Sequence, residues 1–226
     1  ISQLAMADII VWLDDVSFSK GSFTNRVQLK NKDEISWLSI PLRNKGKDML
    51  INELEEADQN FSNNHNEKLK NLLRGCPHQN EALVLFKNIW SNDSTLCNSI
   101  IRSSKLLLDA FRIPHPKTFL ASELNCKGFG SERVLNIVKS LNGTSYITGH
   151  GAKSYLNHLE FENENIDISY MKYGPYSWPQ APGKFNPFVS AIDIVANVRT
   201  NARKECLVRE TIPWKKFLKV SSLKSR

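Results

Sequence analysis

The sequence predicts an α/β fold: a single domain with a mostly parallel sheet, an early hairpin and a helical insertion. Three observations carry this. Over residues 118–172, "TFLASEL", "TSYITG" and "IDISYMKY" read as strands, and "GSERVLNIVKSLNG" and "GAKSYLNHLEFEN" as helices between them. Strand and helix in alternation are the signature of parallel strands joined by crossovers. Earlier, "RVQLKNKDEISWLSIPL" alternates apolar and polar residues on both sides of "NKDE", as a hairpin does. Residues 62–113 carry three successive helical patterns, the expected insertion.

The elements follow in order. "ISQLAMAD" spaces Ile1, Leu4 and Ala5 at helical intervals with no cap before them. It reads as the end of an amphipathic helix whose beginning is missing. "DIIVWLDDV" is a short apolar run rich in β-branched residues and bounded by charge, hence a buried strand. Pro41 ends the hairpin or places its second strand on an edge. Within the polar stretch 44–60, "MLINELE" reads as a short strand. "NNHNEKLKNLLRG" is a helix with an asparagine N-cap and an end at Gly75. "NEALVLFKNIW" and "STLCNSIIRSSKLLLDAFRI" follow as helices, the second opened by Ser94 or Thr95. Ser131 is the expected cap of the helix between Gly130 and Gly143. "NPFVSAIDIVANV" is a late amphipathic helix.

The chain has 226 residues, 41% hydrophobic and 23% charged, which describes a globular protein. No apolar run approaches the about 20 residues of a membrane-spanning helix, and no secretory signal is visible. Cys76, Cys97, Cys126 and Cys206 are scattered with no CxxC pair. That argues against a zinc site or disulfide framework and fits a reducing, cytoplasmic setting. The net charge is +7, but from Arg199 onward nine Lys/Arg face two Asp/Glu, so residues 1–198 hold 21 of each sign. A neutral body argues against nucleic acid as partner. Residues 199–226 form a basic C-terminal extension. Two readings of it stand: a solvated tail or terminal helix docked by its apolar residues, among them Trp214, Phe217 and Leu218, or a segment lying on an anionic membrane surface.

Ligands of open α/β sheets sit at the carboxyl ends of strands, and polar clusters fall at such places. "DDVSFSKGSFTNR" follows the first strand. Its Asp14 and Asp15 can bind a metal, act as base or hydrogen-bond sugar hydroxyls, and Lys20 and Arg26 can hold phosphate, with Asn25 beside them. A hairpin entry with Asp-capped turns accounts for the same residues equally well. In "TGHGAKSY" two glycines lead into a helix start, where backbone N–H groups attract anions and Lys153 adds charge. His150 there is an acid/base candidate, although a turn histidine is more often simply hydrogen-bonded. Arg133, in the first turn of its helix, is electrostatically out of place unless it faces an anion. In "YSWPQAPGKFNPFVSAIDIVANV", Trp178 can stack on a sugar ring and Gln180 can hydrogen-bond one. Ser190, Asp193 and Asn197 lie three and four apart, a polar stripe on an apolar helix that faces solvent or a polar site. There is no HExxH, GxGxxG or Ser-His-Asp order, no residue is singled out as a metal ligand, and the pattern names no cofactor.

Four blocks in order resemble the WbqC-like protein family of bacteria: "LAMADIIVWLDDVSFSKGSFTNRVQLK", "WLSIPL", "SERVLNIVKSLNGTSYITGHGAKSYL" and "YSWPQAPGKFNPFVSAIDIVANV". The resemblance covers about residues 1–200, which gives a domain of residues 1–198 and the extension 199–226. Asp14, Asp15, Lys20, Asn25, Arg26, Arg133, Gly149, Lys153, Tyr155, Gln180, Ser190, Asp193 and Asn197 match the family's pattern. Ser17 and Phe23 depart from it, standing where glutamine and tryptophan are usual. The family's opening block is absent, so a chain lacking its first strand is expected. Family genes occur in clusters for O-antigen and other surface polysaccharides. The resemblance therefore implies a transferase-like protein that modifies an activated sugar, by acyl or amino-acyl transfer. Asp14, Asp15, Asp193 and His150 are the catalytic candidates. Lys20, Asn25, Arg26, Arg133, Lys153, Tyr155, Trp178, Gln180, Ser190 and Asn197 are the binding candidates. The expected partner is a small-molecule or nucleotide-linked sugar, with the protein cytoplasmic or peripheral at the inner membrane. The alternative is a non-catalytic assembly protein that holds glycan-synthesis enzymes at the membrane surface through the tail.

Overall fold

The computed structural model describes residues 1–46, 48–90, 95–174 and 176–223. The strands are β1 (Ile9–Trp12), β2 (Arg26–Asn31), β3 (Glu34–Ser39), β4 (Lys117–Leu120), β5 (Ser145–Thr148), β6 (Asp167–Met171) and β7 (Thr211–Pro213). The α-helices are α1 (Phe61–Leu72), α2 (Gln79–Ile89), α3 (Leu96–Ala110), α4 (Gly130–Ser140), α5 (His158–Asn163), α6 (Ile192–Asn197) and α7 (Trp214–Leu223). The chain is α/β, as the periodicities imply. It folds as two compact units. The first contains residues 13–115 and 176–207; the second contains 2–12, 116–175 and 208–226.

The first unit holds the hairpin and the helical insertion. β2 and β3 pair antiparallel from Arg26↔Ser39 to Asn31↔Glu34, leaving a two-residue turn with Lys32 at φ 56°. Leu29 and Lys30 are both buried, so both faces of β2 are covered at that point. One core cluster of the unit gathers Ile40, Leu54, Phe61 and Leu96, with Phe18, Trp90 and Ile100 against it. α1 starts at Phe61, before the stretch read as a helix; its N-cap residue Asn60 makes no side-chain cap hydrogen bond, and Asn63, inside the helix, donates from Nδ2 to Asn60 Oδ1 at 2.7 Å. Thr95 opens α3, its side chain accepting from the Asn98 N–H at 3.2 Å; the other expected cap, Ser94, lies outside the described residues. "MLINELE" forms a 3-10 turn, Ile51–Glu53, in place of a strand. The reason is spacing. Ile51 and Leu54, three apart, both face the core cluster, and Glu53 Oε2 reaches back to the Leu50 N–H at 2.9 Å.

Arg203 is fully buried in the first unit. Its guanidinium holds both oxygens of Glu81 at 2.6 Å and donates to the carbonyls of Val198, Ala110 and Val195. Part of the basic extension is therefore internal: Arg203 ties the segment after α6 to α2 and to the end of α3. A buried guanidinium is tolerated because every group around it is paired.

The second unit holds the alternating segment. β1 pairs parallel with β4 and β5 parallel with β6, while β7 joins β6 antiparallel. The pairing is spread over small sheets of two and three strands, because β4 ends after four residues in a 3-10 turn, Ala121–Glu123. Three sequence readings differ locally. Residues 2–6 form turns where helix was expected, and Gln3 Nε2 donates to the Ile147 carbonyl at 2.8 Å. Phe129, not Ser131, is the N-cap of α4; Gly128 and Gly130, both at positive φ, shape the entry, and Ser131 Oγ accepts the Asn157 N–H instead. "GAKSYLNHLEFEN" breaks into a 3-10 turn, His150–Ser154, and the separate α5. The core takes Ala152, Leu156, His158 and Phe161, and a step of two between 156 and 158 cannot lie on one α-helical face.

Leu135, Leu156, Phe161, Ile168 and Tyr170 build the core of this unit together with Phe217 of α7. The Phe217 ring stacks on Tyr170 with centroids 4.0 Å apart, and Trp214 stacks on His158. Docking is thus the observed use of the terminal apolar residues. Among the described residues no helix is long and apolar enough to cross a membrane.

Candidate functional site in the first unit

Two of the polar segments singled out from the sequence, 14–26 and 176–197, fall in the first unit. They meet at the hairpin. The Ser190 N–H donates to the Gln28 carbonyl of β2 at 2.8 Å, and the Ser190 hydroxyl faces the Ile192 N–H at 3.4 Å. Ser190 therefore precedes α6, which is shorter than the sequence periodicity implied. Lys30 Nζ donates to the Ala181 carbonyl at 2.6 Å, and Asp33 Oδ1 accepts the Lys184 N–H at 2.8 Å. These bonds clamp the proline-rich loop onto the hairpin turn. A Cβ on Gly183 would lie 2.9 Å from the Lys32 carbonyl, so the approach requires glycine.

In the opening stretch Asp14 is buried. Its Oδ2 accepts from Asn52 Nδ2 at 3.3 Å, and its carbonyl accepts the Asn52 N–H at 2.8 Å. Asp15 is half-buried and Lys20 exposed. Asn25 bridges into the end of the hairpin, donating from Nδ2 to the Ile40 carbonyl at 3.0 Å. The Arg26 guanidinium lies over the Trp37 ring, 4.4 Å from its centroid, and donates to the Gly21 carbonyl.

The late segment is a buried polar cluster around Asp193, which is only 2% exposed. Trp178 Nε1 donates to Asp193 Oδ2 at 2.9 Å. Asn197 Nδ2 donates to the Asp193 carbonyl at 2.9 Å and to Oδ1 at 3.3 Å. Burial pushes the Asp193 carboxyl above the usual carboxylate range, opposed by hydrogen bonds from Trp178 and Gln180 and by the charge of Lys30. The polar stripe of α6 thus faces the protein interior. Gln180 closes the loop on itself: its Nε2 donates to the Asn186 carbonyl at 2.8 Å and its Oε1 accepts the Asn186 N–H at 2.9 Å. Cys76 adjoins this cluster; burial first, and then the Asp193 charge, push its thiol up. It is held as a thiol and is poorly suited to nucleophilic attack.

Between the two segments lies a cavity of about 160 Å³. Asn25 and Arg26 from the first segment and Ser190 and Ile192 from the second line it, with helical residues of α1, α2 and α3. His65 also lines it; its Nε2 meets the Ser39 carbonyl at 3.1 Å, and burial lowers its pKa, so the ring there is uncharged at neutral pH.

Arg133, His150, Lys153 and Tyr155 belong to the second unit. Arg133 is half-buried in the first turn of α4. His150 Nε2 donates to the Met171 carbonyl at 2.8 Å, and its ring packs against Tyr173 and Phe217. Lys153 is exposed at the end of the 3-10 turn. The Tyr155 hydroxyl is pushed up to about 12, by burial first and then by Tyr146; it is a neutral phenol throughout the physiological range. Among the described residues no group of three or more His, Cys, Asp or Glu is arranged to hold a metal ion.

Sequence reasoning missed Lys30, His65, Trp90 and Ser103. Lys30 falls on the polar phase of its strand with Arg26 and Gln28, so nothing in the sequence marks it as covered. The other three sit in helical patterns that carry no mark of a cavity.

The model of the WbqC-like protein family matches residues 1–205. The chain belongs to the WbqC-like family. It is also similar to the uncharacterized protein Rv1507c of Mycobacterium tuberculosis, 24% identical over 203 residues, covering 88% of this chain and 87% of that one. No solved structure matches. Both segments that frame the cavity of this WbqC-like protein lie within the matched residues.

Proposed function

We propose that this WbqC-like protein is a transferase that modifies a nucleotide-linked sugar for a bacterial surface polysaccharide, by moving an acyl group from an acyl thioester. One observation carries the reading: Asn25, Arg26 and Ser190, from opposite ends of the sequence, line one cavity. Family membership supports it, since the resemblance implies work on activated sugars.

In this reading Lys20 and Arg26 hold the phosphate or carboxylate of a substrate. The sugar's amine or hydroxyl forms a bond to the thioester carbonyl carbon. The bond from that carbon to sulfur breaks, and the sulfur leaves as thiolate. The proton lost by the nucleophile passes through Asp14 or Asp15 to the thiolate, giving the free thiol. Trp178, buried and held by Asp193, braces the loop that borders the sugar. Gln180 and Asn197, whose amides are engaged within the cluster, position that ring.

The test incubates the full chain with a panel of nucleotide-linked amino sugars and short acyl thioesters and measures free thiol. The expected result is thiol release dependent on both substrates. Asp15→Asn should lower kcat by at least about a hundredfold with little change in sugar affinity. No release and no binding with any member of the panel would overturn the reading.

A further inference from the structure

The geometry points to the cavity of the first unit as the pocket for a short apolar chain of about six carbon atoms that ends in a carboxylate or carbonyl oxygen. Its biological role, as the seat of the transferred acyl group, rests on the transferase reading; the binding itself does not.

Size is the first argument. The cavity measures about 160 Å³. An apolar cavity of about 150 Å³ holds a molecule the size of benzene, which sets the occupant near six carbons. Wall chemistry is the second. The lining is mainly apolar, with Leu38 of β3, Leu69 of α1, Leu85 and Ile89 of α2 and Leu107 of α3 among its residues. A wall of this kind favours hydrocarbon over water.

The third argument is the pair of donors. Arg26 Nε and Trp90 Nε1 belong to lining residues, are buried, and have no hydrogen-bond partner among the described residues. Both are donors only, and a buried donor without an acceptor is costly. An occupant that brings an acceptor oxygen answers this; an ammonium does not. Entry is the fourth. Phe23 and Val27 line the cavity and are 66% and 37% exposed, so one end of it reaches the surface beside Arg26.

The probe is hexanoate, titrated into the full chain by calorimetry, with acetate and hexylamine for comparison. Hexanoate is expected to bind at least tenfold more tightly than either. Ser103, on the α3 side of the lining, provides the block: Ser103→Phe fills the space and should abolish binding, and Ser103→Leu, a smaller change, should weaken it at least fivefold with the melting temperature kept. Arg26→Gln should weaken hexanoate at least tenfold. Hexanoate binding no tighter than acetate, equal binding of hexylamine, or unaltered binding in a folded Ser103→Leu protein would each overturn the proposal. The two readings separate cleanly. Hexanoate binding without thiol release from hexanoyl thioester removes the transferase and leaves the pocket. Thiol release that saturating hexanoate does not inhibit removes the pocket's role as acyl seat and leaves the transferase.

Discussion

Asp193 shows how one residue can be read from both sequence and structure. In the sequence it interrupts "AIDIVAN"; in the fold its carboxyl holds Trp178 and Asn197 in the interior. Burial is the dominant cause of its raised pKa. The folded state therefore binds this proton more tightly than the unfolded chain, whose aspartate titrates near about 3.9. Stability from this group is complete below the unfolded value and is lost as pH rises toward the raised folded value. Asp193→Asn keeps an acceptor for Trp178 and removes the charge. The melting temperature of the wild type minus that of Asp193→Asn should fall between pH 3.5 and 7. A difference that rises over that window would show the carboxylate to be stabilised, contrary to this account. Arg203 is the opposite lesson. Charge counting put it with a solvated tail, because a sum of charges holds no information about Glu81, 122 positions away, whose carboxylate pairs with it.

At the scale of elements, periodicity carried most of what was legible. The alternating strands and helices of 118–172 and the presence of the hairpin follow from repeats of two and 3.6 residues, whereas the hairpin turn is the two residues Lys32 and Asp33, with Asn31 and Glu34 of "NKDE" paired in the strands. The failures are short elements in which burial skips between these periods. His158 breaks the helical face after Leu156, and Ile51 and Leu54 take helical spacing inside a stretch that composition favoured as strand. The terminal segment 208–223 was legible only as two alternatives, since Trp214 and Phe217 suit a membrane surface and a protein core equally. Its docked state gives a measurable consequence. Phe217→Ala removes a ring from the core of the second unit and should cost about 3–5 kcal/mol of stability, read by chemical denaturation. A loss under about 1 kcal/mol would indicate that α7 contributes little to that core.

At the scale of the whole molecule, part of the charge of the basic end is spent internally or in pairs: among the described residues Arg203 is buried against Glu81. Lys215 pairs with Glu162 and Lys172 with Glu210. The candidate site was legible in part. Asp14, Asn25 and Arg26 stood out as a polar cluster after an apolar strand, and Ser190 and Asp193 as polar residues on an apolar helix, with Trp178 in the loop before it; all share the first unit. The cavity was not legible, because Leu69, Leu85 and Leu107 read as ordinary core and nothing in a linear pattern tells a filled core from a hollow one. The account stands on segments 14–26 and 176–197 forming one ligand site. The most direct measurement is an NMR titration of the full chain with a nucleotide-linked amino sugar that supports thiol release. The amide signals of Asn25, Arg26 and Ser190 and the Trp178 indole N–H should shift together with a single dissociation constant. Saturable binding that leaves those four signals unmoved would contradict it.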